Sequence, residues 1–414
     1  MSNKLNCIVA QSGGPTSVIN ASLAGVIEAA LNNNHIDKVY GAIHGINGVL
    51  RNSYIELNEL FSNHDNIELL KTTPSMYLGS CRHKLPSVSQ DSTEYEAIFS
   101  FFKRMNIGFF FYIGGNDSMD TVDKLNKYAI SNGIKNINII GIPKTIDNDL
   151  YGTDHSPGFG SAAKFIATSL LEVIHDTYIY DLQSVTIVEI MGRNAGWLTA
   201  AAALARTGNN TSPDLIYLPE RVFSTSQFID DINTVLRNKK NVIIAVSEGI
   251  KNKDGEYIAA SSTDMDQFGH FKLSGVGNVL EHLVTTEIGC KVRSIELSVL
   301  QRSASHISSL TDVTEAFLVG NKAVEFATSG ISGAMIVINR ETTSPYKSTI
   351  SSLPINKIAN LEKVVPLEWI NEAGNDISEE FIAYMAPLIK GETKIEYENG
   401  IPKYMPIDHL FNSI

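Results

Sequence analysis

Short apolar runs alternate along most of this chain with stretches where apolar residues recur every three to four positions. Leu5–Ala10 is the first run; it breaks at Gln11-Ser12-Gly13-Gly14 and gives way to helical spacing through Ala30. Lys38–Ile43 reads as a strand, and Glu94–Met105 as a helix ahead of the strand Phe109–Ile113. Helical spacing over Asp120–Ser131 leads into the strand Ile137–Ile142. The alternation continues through helix 161–178, strand 184–190, helix 195–206, strand 214–218, helix 225–237 and strand 241–247. Helix 275–288, strand 291–299, helix 311–328 and strand 333–339 complete it. Strands alternating with helices of this length predict an α/β fold, with parallel sheet covered by helices on both faces. Ligands then bind where the strands end. Beyond Arg340 the texture changes: Ser, Thr and Pro cluster between Thr342 and Pro354, and a helical stretch Ser378–Leu388 precedes a turn-rich end.

Composition narrows the class. The 414 residues are 43% hydrophobic and 19% charged, enough for two domains with substantial cores. Apolar stretches near Phe109–Ile113, Val242–Val246 and Ala334–Ile338 fall far short of the ~20 residues of a membrane span. The run after Lys4 is cut by Ser12-Gly13-Gly14, so no signal peptide is expected. Three scattered cysteines, Cys7, Cys81 and Cys290, suit reduced thiols in a cytoplasmic protein. A net charge of −12 argues against nucleic acid or an anionic membrane as partner, since both need a basic footprint. An anionic small molecule remains open wherever Lys and Arg gather.

They gather at the strand ends. Gln11-Ser12-Gly13-Gly14-Pro15-Thr16 follows the first strand, where glycine lets a ligand approach the backbone and a helix start favours an anion. By itself it reads equally as a tight turn, and no Walker loop occurs anywhere in the chain. Gly114-Gly115-Asn116-Asp117-Ser118 is a second such loop; Asn116 and Asp117 offer oxygens to Mg²⁺ or phosphate, and Ser118 can cap the next helix. Gly158-Phe159-Gly160-Ser161-Ala162-Ala163 resembles a dinucleotide pattern but follows a Ser-Pro loop, so helix initiation is the better reading. Pro143-Lys144-Thr145-Ile146-Asp147-Asn148-Asp149 puts a lysine, a hydroxyl and two carboxylates on one loop. One carboxylate can take a proton from an attacking hydroxyl while the other orients a neighbour or metal, which suits phosphoryl transfer. Met191-Gly192-Arg193 and Ser247-Glu248-Gly249 end two further strands; Arg293 and Gln301-Arg302 flank another. Each alone reads as an ordinary ion pair or turn; their shared position at strand ends favours a site.

Together these runs, from Leu5 to about Arg340, resemble the phosphofructokinase family. The resemblance implies two doubly wound Rossmann-like domains with a C-terminal extension: residues 1–155 plus about 304–345 for the phosphoryl donor, 156–303 for the sugar phosphate, and 346–414 packing on the core. It implies Gly14, Arg82, Gly115, Asp117 and Ser118 at the donor. Asp147 would be the base for the 1-hydroxyl of fructose 6-phosphate, with Lys144, Thr145 and Asp149 beside it and Mg²⁺ near Asn116. Thr145, Asp147, Met191, Gly192, Arg193, Glu248, Arg293 and Arg302 would hold the sugar phosphate, with Arg293 supplied across subunits in a homodimer or homotetramer. The ATP users of the family carry glycine at the positions of Asp117 and Lys144, so this chain resembles the pyrophosphate users. A carboxylate 4 Å from a nucleotide α-phosphate costs about 4 kcal/mol at an effective dielectric of ~20, roughly a thousandfold in affinity. Departures from the family pattern are Asn116 in place of an aspartate, Ser184 in place of an arginine, and Val299 and Ser303-Ala304 around Gln301-Arg302.

Overall fold

Successive side chains of a strand point to opposite faces, so a run that is apolar throughout needs cover on both. Cys7 and Val9 join one buried cluster with Phe109, Phe111, Ile140 and Ile142. Ile8 and Ala10 join another with Phe110, Tyr112 and Ile139. The same three strands thus feed two cores, one on each face of a sheet. A computed structural model describes residues 4–265, 271–273 and 275–411.

The strands, in chain order, are β1 (Leu5–Gln11), β2 (Ile36–Ala42), β3 (Tyr54–Glu56), β4 (Ile107–Gly114) and β5 (Asn138–Pro143). Then come β6 (Ser184–Ile190), β7 (Leu215–Tyr217), β8 (Asn241–Ser247), β9 (Ala260–Met265), β10 (Phe271–Leu273) and β11 (Lys291–Glu296). β12 (Ala334–Thr343) and β13 (Tyr346–Pro354) follow. The chain divides into two compact units: Met1–Ser161 with Arg302–Glu362 and Gly391–Ile414, and Ala162–Gln301 with Lys363–Lys390. The first holds a seven-stranded sheet in the order β13-β12-β5-β4-β1-β2-β3, parallel except for its two edge strands. The second holds a parallel sheet in the order β11-β6-β8-β7. Strand order reverses around β1 in the first sheet and around β6 in the second, the places where open α/β sheets leave a crevice at their strand ends.

One helix pair closes a face of the first sheet. The helices Ile19–Leu31 and Leu310–Thr328 approach at Gly25 and Gly320. A Cβ on Gly25 would lie 2.0 Å from the Phe317 carbonyl oxygen, and one on Gly320 would lie 2.0 Å from that of Ser22. Only glycine permits that contact.

Several elements differ from the sequence expectations. The helix expected from Asp120 begins at Asn116, which draws Asn116 and Asp117 out of the loop and into a first helical turn. The helix expected over 195–206 is a short α-turn, Trp197–Ala200, continued as 3₁₀ helix to Ala205. The Ser- and Thr-rich stretch after Arg340 is a hairpin whose outer strand, β13, is made of exposed and half-buried residues with none fully buried. Such an edge strand tolerates the hydroxyl-rich sequence that hid it. The stretch expected as one extension, 346–414, is shared: up to Glu362 and from Gly391 it belongs to the first unit, while Lys363–Lys390 belongs to the second. There Trp369, Phe381 and Tyr384 gather around Trp197, with ring centroids 5.6–6.2 Å from it.

Candidate active site

In the first unit three neighbouring strands, β1, β4 and β5, end side by side, and each end carries one of the singled-out loops. Lys144 follows β5. Its backbone N–H donates to the Gly114 carbonyl at 3.0 Å, and its Nζ reaches the Gly14 carbonyl at 2.7 Å. Lys144 is 2% exposed. Burial lowers its pKa, the Asp147 and Asp149 carboxylates raise it, and Arg302 lowers it again, leaving it at about 8. A Cβ on Gly14 would lie 3.5 Å from the Arg302 guanidinium, so Lys144 and Arg302 crowd one short piece of backbone. Ser80 Oγ donates to the Gly13 carbonyl at 2.7 Å, and Gly13 N–H donates to the Cys81 carbonyl at 3.3 Å. The residue after Cys81 is Arg82, which is exposed.

The loop after β5 is folded tightly by its own side chains. Asp147 N–H donates to Thr145 Oγ1 at 3.1 Å, and that hydroxyl lies 3.4 Å from Asp147 Oδ2. Asn148 takes a left-handed conformation, φ 53°, and its Oδ1 accepts the Ser156 N–H at 3.0 Å. Asp147 and Asp149 are half-buried on either side of buried Asn148. Asp312 accepts the N–H groups of Gly158 and Ser161 at 2.9 and 2.8 Å and caps the helix Phe159–Tyr178. The third glycine loop therefore serves as the helix start that its sequence context indicated.

Asn116 Nδ2 donates to Asp149 Oδ2 at 2.8 Å, which ties the start of the helix Asn116–Ser131 to the β5 loop. That pairing leaves the amide Oδ1 as the atom able to face a cation. Among the described residues no group of three or more His, Cys, Asp and Glu side chains is placed to hold a metal. The residues still fit Mg²⁺, which binds through one or two protein oxygens and otherwise through substrate phosphates and water. Gly115 and Asp117 stand at the same helix start, Asp117 exposed in its first turn. Ser118, expected at the donor, turns inward: it is buried and its Oγ lies 2.5 Å from Ser12 Oγ. A Cβ on Gly114 would lie 1.8 Å from that Ser118 oxygen, so Gly114 exists to admit the serine pair.

In the second unit the adjacent strands β6 and β8 end in Met191-Gly192-Arg193 and Glu248. Gly192 N–H donates to Glu248 Oε1 at 3.3 Å, and Ser247 Oγ donates to the Gly192 carbonyl at 2.5 Å. Met191 N–H donates to Gln301 Oε1 at 3.2 Å. Gly192 has φ 147°, and a Cβ there would lie 2.6 Å from the Ala195 carbonyl oxygen. Arg193 is half-buried beside this knot. The structure thus gathers Met191, Gly192, Arg193 and Glu248.

Arg293 is not gathered with them. It lies on the edge strand β11 opposite Thr186, four residues short of the end of β6, about 13 Å back along the strand at ~3.3 Å per residue. Its guanidinium pairs with Asp176 at 2.8 Å. Arg302, expected with the sugar-phosphate residues, belongs to the first unit beside Gly14 and Lys144. The supports are Ser12, Gly13 and Ser80 in the first unit and Ser247 and Gln301 in the second; the sequence gives none of them a role of its own. Ser12, Gly13, Ser247 and Gln301 lie inside the motifs at the strand ends and Ser80 two residues before Arg82, which is the only local signal they give.

Two glycine-bearing strand ends converging on a buried lysine and paired aspartates define an α/β phosphotransferase, and the family profile described as Phosphofructokinase matches residues 6–327. The chain belongs to the phosphofructokinase family. A protein of Halomonas elongata named pyrophosphate–fructose 6-phosphate 1-phosphotransferase is 41% identical over 401 residues, 96% of this chain and 95% of its own. Its namesake in Xanthomonas campestris is 40% identical across 98% of this chain and 96% of its own. The crystal structure of a pyrophosphate-dependent phosphofructokinase from Nitrosospira multiformis superposes with a TM-score of 0.87 at 38% identity, covering 97% of this chain and 95% of that one.

Proposed function

We propose that this chain reversibly transfers a phosphoryl group from pyrophosphate to the 1-hydroxyl of fructose 6-phosphate, giving fructose 1,6-bisphosphate and phosphate, as a glycolytic step in the cytoplasm. The observation that carries the reading is Lys144, a buried ammonium held 2.7 Å from the Gly14 carbonyl on the Gly13-Gly14 turn. A compact, highly charged donor uses such a cation, and the exposed carboxylate of Asp117 at the neighbouring helix start repels a nucleotide's α-phosphate. Relatives 40–41% identical along nearly the whole chain bear the name of this reaction.

In this reading the first unit takes the donor and the second the sugar phosphate. Asp147 accepts the proton of the 1-hydroxyl as that oxygen forms its bond to phosphorus. The bridging P–O bond of pyrophosphate breaks, and phosphate leaves with the electron pair. Thr145 holds the Asp147 backbone N–H, and its hydroxyl donates to the Asp147 carboxylate at 3.4 Å, which helps to orient it. Lys144, Arg82 and the N–H groups at Gly14 and Gly115 offset charge on the donor oxygens. Members of the family generally use Mg²⁺. Asn116 Oδ1 and Asp149 would hold it here, where it would neutralise phosphate charge. Met191, Gly192, Arg193 and Glu248 hold the sugar phosphate, and Arg302, beside Gly14 in the first unit, adds a cation on the donor's side.

The position of Arg293 supports a role across subunits in a homodimer or homotetramer, since its own chain's β6 loop is out of reach. Light scattering should read a multiple of the 45.3 kDa chain mass; a monomer with full activity would contradict it. The reaction itself is tested by following fructose 1,6-bisphosphate formation with pyrophosphate or ATP as donor. Product with pyrophosphate is expected; product with ATP alone would sink the reading of Lys144 and Asp117. No helix among the described residues is long and apolar enough to cross a membrane.

A further inference from the structure

The last stretch of chain returns to the first unit and crosses two loops that each carry an arginine of the candidate site. Tyr404 OH accepts from Ser305 Oγ at 2.9 Å, three residues beyond Arg302. Met405 N–H donates to Thr73 Oγ1 at 2.9 Å, and its side chain is buried in the core with Ile67, Leu70 and Tyr77. His409 donates from Nε2 to the Tyr77 carbonyl at 2.7 Å, and its ring lies 4.5 Å from that of Tyr77. Leu410 packs on the same core, its Cδ2 3.3 Å from where a Cβ on Gly79 would sit.

The segment beneath these contacts runs directly to the donor turn. Tyr77 N–H donates to Asn20 Oδ1 and Leu78 N–H to Gln11 Oε1, both at 2.9 Å, so the stretch is pinned from below by the start of the first helix and the end of β1. Two residues later Ser80 holds the Gly13 carbonyl, and Arg82 follows. Tyr77 is held on one side by Asn20 and on the other by His409. Loss of the upper contact frees one face of a strap that ends at the donor turn. Small displacements there matter, because a misplacement of about 1 Å can cost on the order of 10²-fold in rate.

We propose that Tyr404–Leu410 is a positioning clamp that sets the Arg82 loop and the turn after Arg302 at one spacing, and so determines affinity for the phosphoryl donor. The clamp touches no substrate; its residues act through Tyr77, Gly79 and Ser305. The proposal rests on the assignment of the donor to the first unit. A chain stopped after Lys403, and a Tyr404→Phe/His409→Ala double variant, should keep their circular dichroism. Each should show a KM for pyrophosphate raised roughly tenfold or more, with KM for fructose 6-phosphate within about twofold. Amide exchange over residues 73–82 should quicken in the double variant. Equal rises in both KM values, or unchanged KM for pyrophosphate, would overturn the clamp. If the shortened chain fails to fold, the double variant decides. If the unaltered enzyme does not use pyrophosphate, the functional reading falls; unchanged exchange at 73–82 would then separately overturn the clamp.

Discussion

Lys144 bears opposite demands from folding and from chemistry. Its pKa is depressed from 10.5 to about 8, so the folded chain binds its proton less readily than the unfolded one. Stability therefore rises as pH climbs through 8 towards 10.5, and below that window the buried ammonium costs about 3 kcal/mol. In the proposed reaction the ammonium meets the donor, so kcat/KM for pyrophosphate should fall above about pH 8. Lys144→Met is expected to lose roughly 10²-fold or more in kcat/KM while melting at a higher temperature at pH 7. A melting temperature that drops along with activity would show that the lysine is chiefly structural. His155 has the reverse sign. Burial lowers its pKa, but Glu315 and Asp154, at 2.6 and 2.8 Å, raise it to about 9. Its contribution is complete below pH 6.5 and fades as pH rises through 9, so a His155→Gln background isolates the Lys144 slope. Lys144 was legible in the sequence because its motif surrounds it. His155 was not, because its partner Glu315 lies 160 residues away and nothing local marks either.

Among the elements, strand ends did the organising. β1, β4 and β5 lie adjacent, so the motifs that follow them meet without any long-range specification beyond the sheet order. The knot after β6 is held the same way by its neighbour β8. Gly192→Ala should disturb it, because φ 147° disfavours a side chain and the new Cβ would press on the Ala195 carbonyl. The expected result is a KM for fructose 6-phosphate raised about tenfold or more, with KM for pyrophosphate little changed. A variant with both constants at wild-type values would show that this loop does not hold the sugar phosphate. The central strands β1, β4, β5, β6 and β8 were readable because both faces of each are covered, which makes the apolar runs continuous. The stretch from His44 to Ser92 was not: β3, the helix Ile46–Arg51 and the helix His64–Thr72 are short and mixed in pattern. The inward turn of Ser118 was also hidden, since a serine three residues past a glycine pair reads as a cap from sequence alone.

At the scale of the whole molecule, the end of the chain serves two units instead of forming a layer of its own. Its aromatic residues pack around Trp197 in one, and its last turn closes over Tyr77 in the other. Neither destination follows from local pattern, because the segments are short and their partners lie some 170 to 330 residues away. What the whole fold accomplishes is to bring Asp117 and Lys144, from different strand ends, to one crest of one sheet. In the proposed reaction these two residues choose the donor. The most direct measurement is the ratio of kcat/KM for pyrophosphate to that for ATP in the enzyme and in an Asp117→Gly/Lys144→Gly variant. The ratio should fall by about a thousandfold, through loss with pyrophosphate and gain with ATP. A double variant that keeps the original ratio would contradict it.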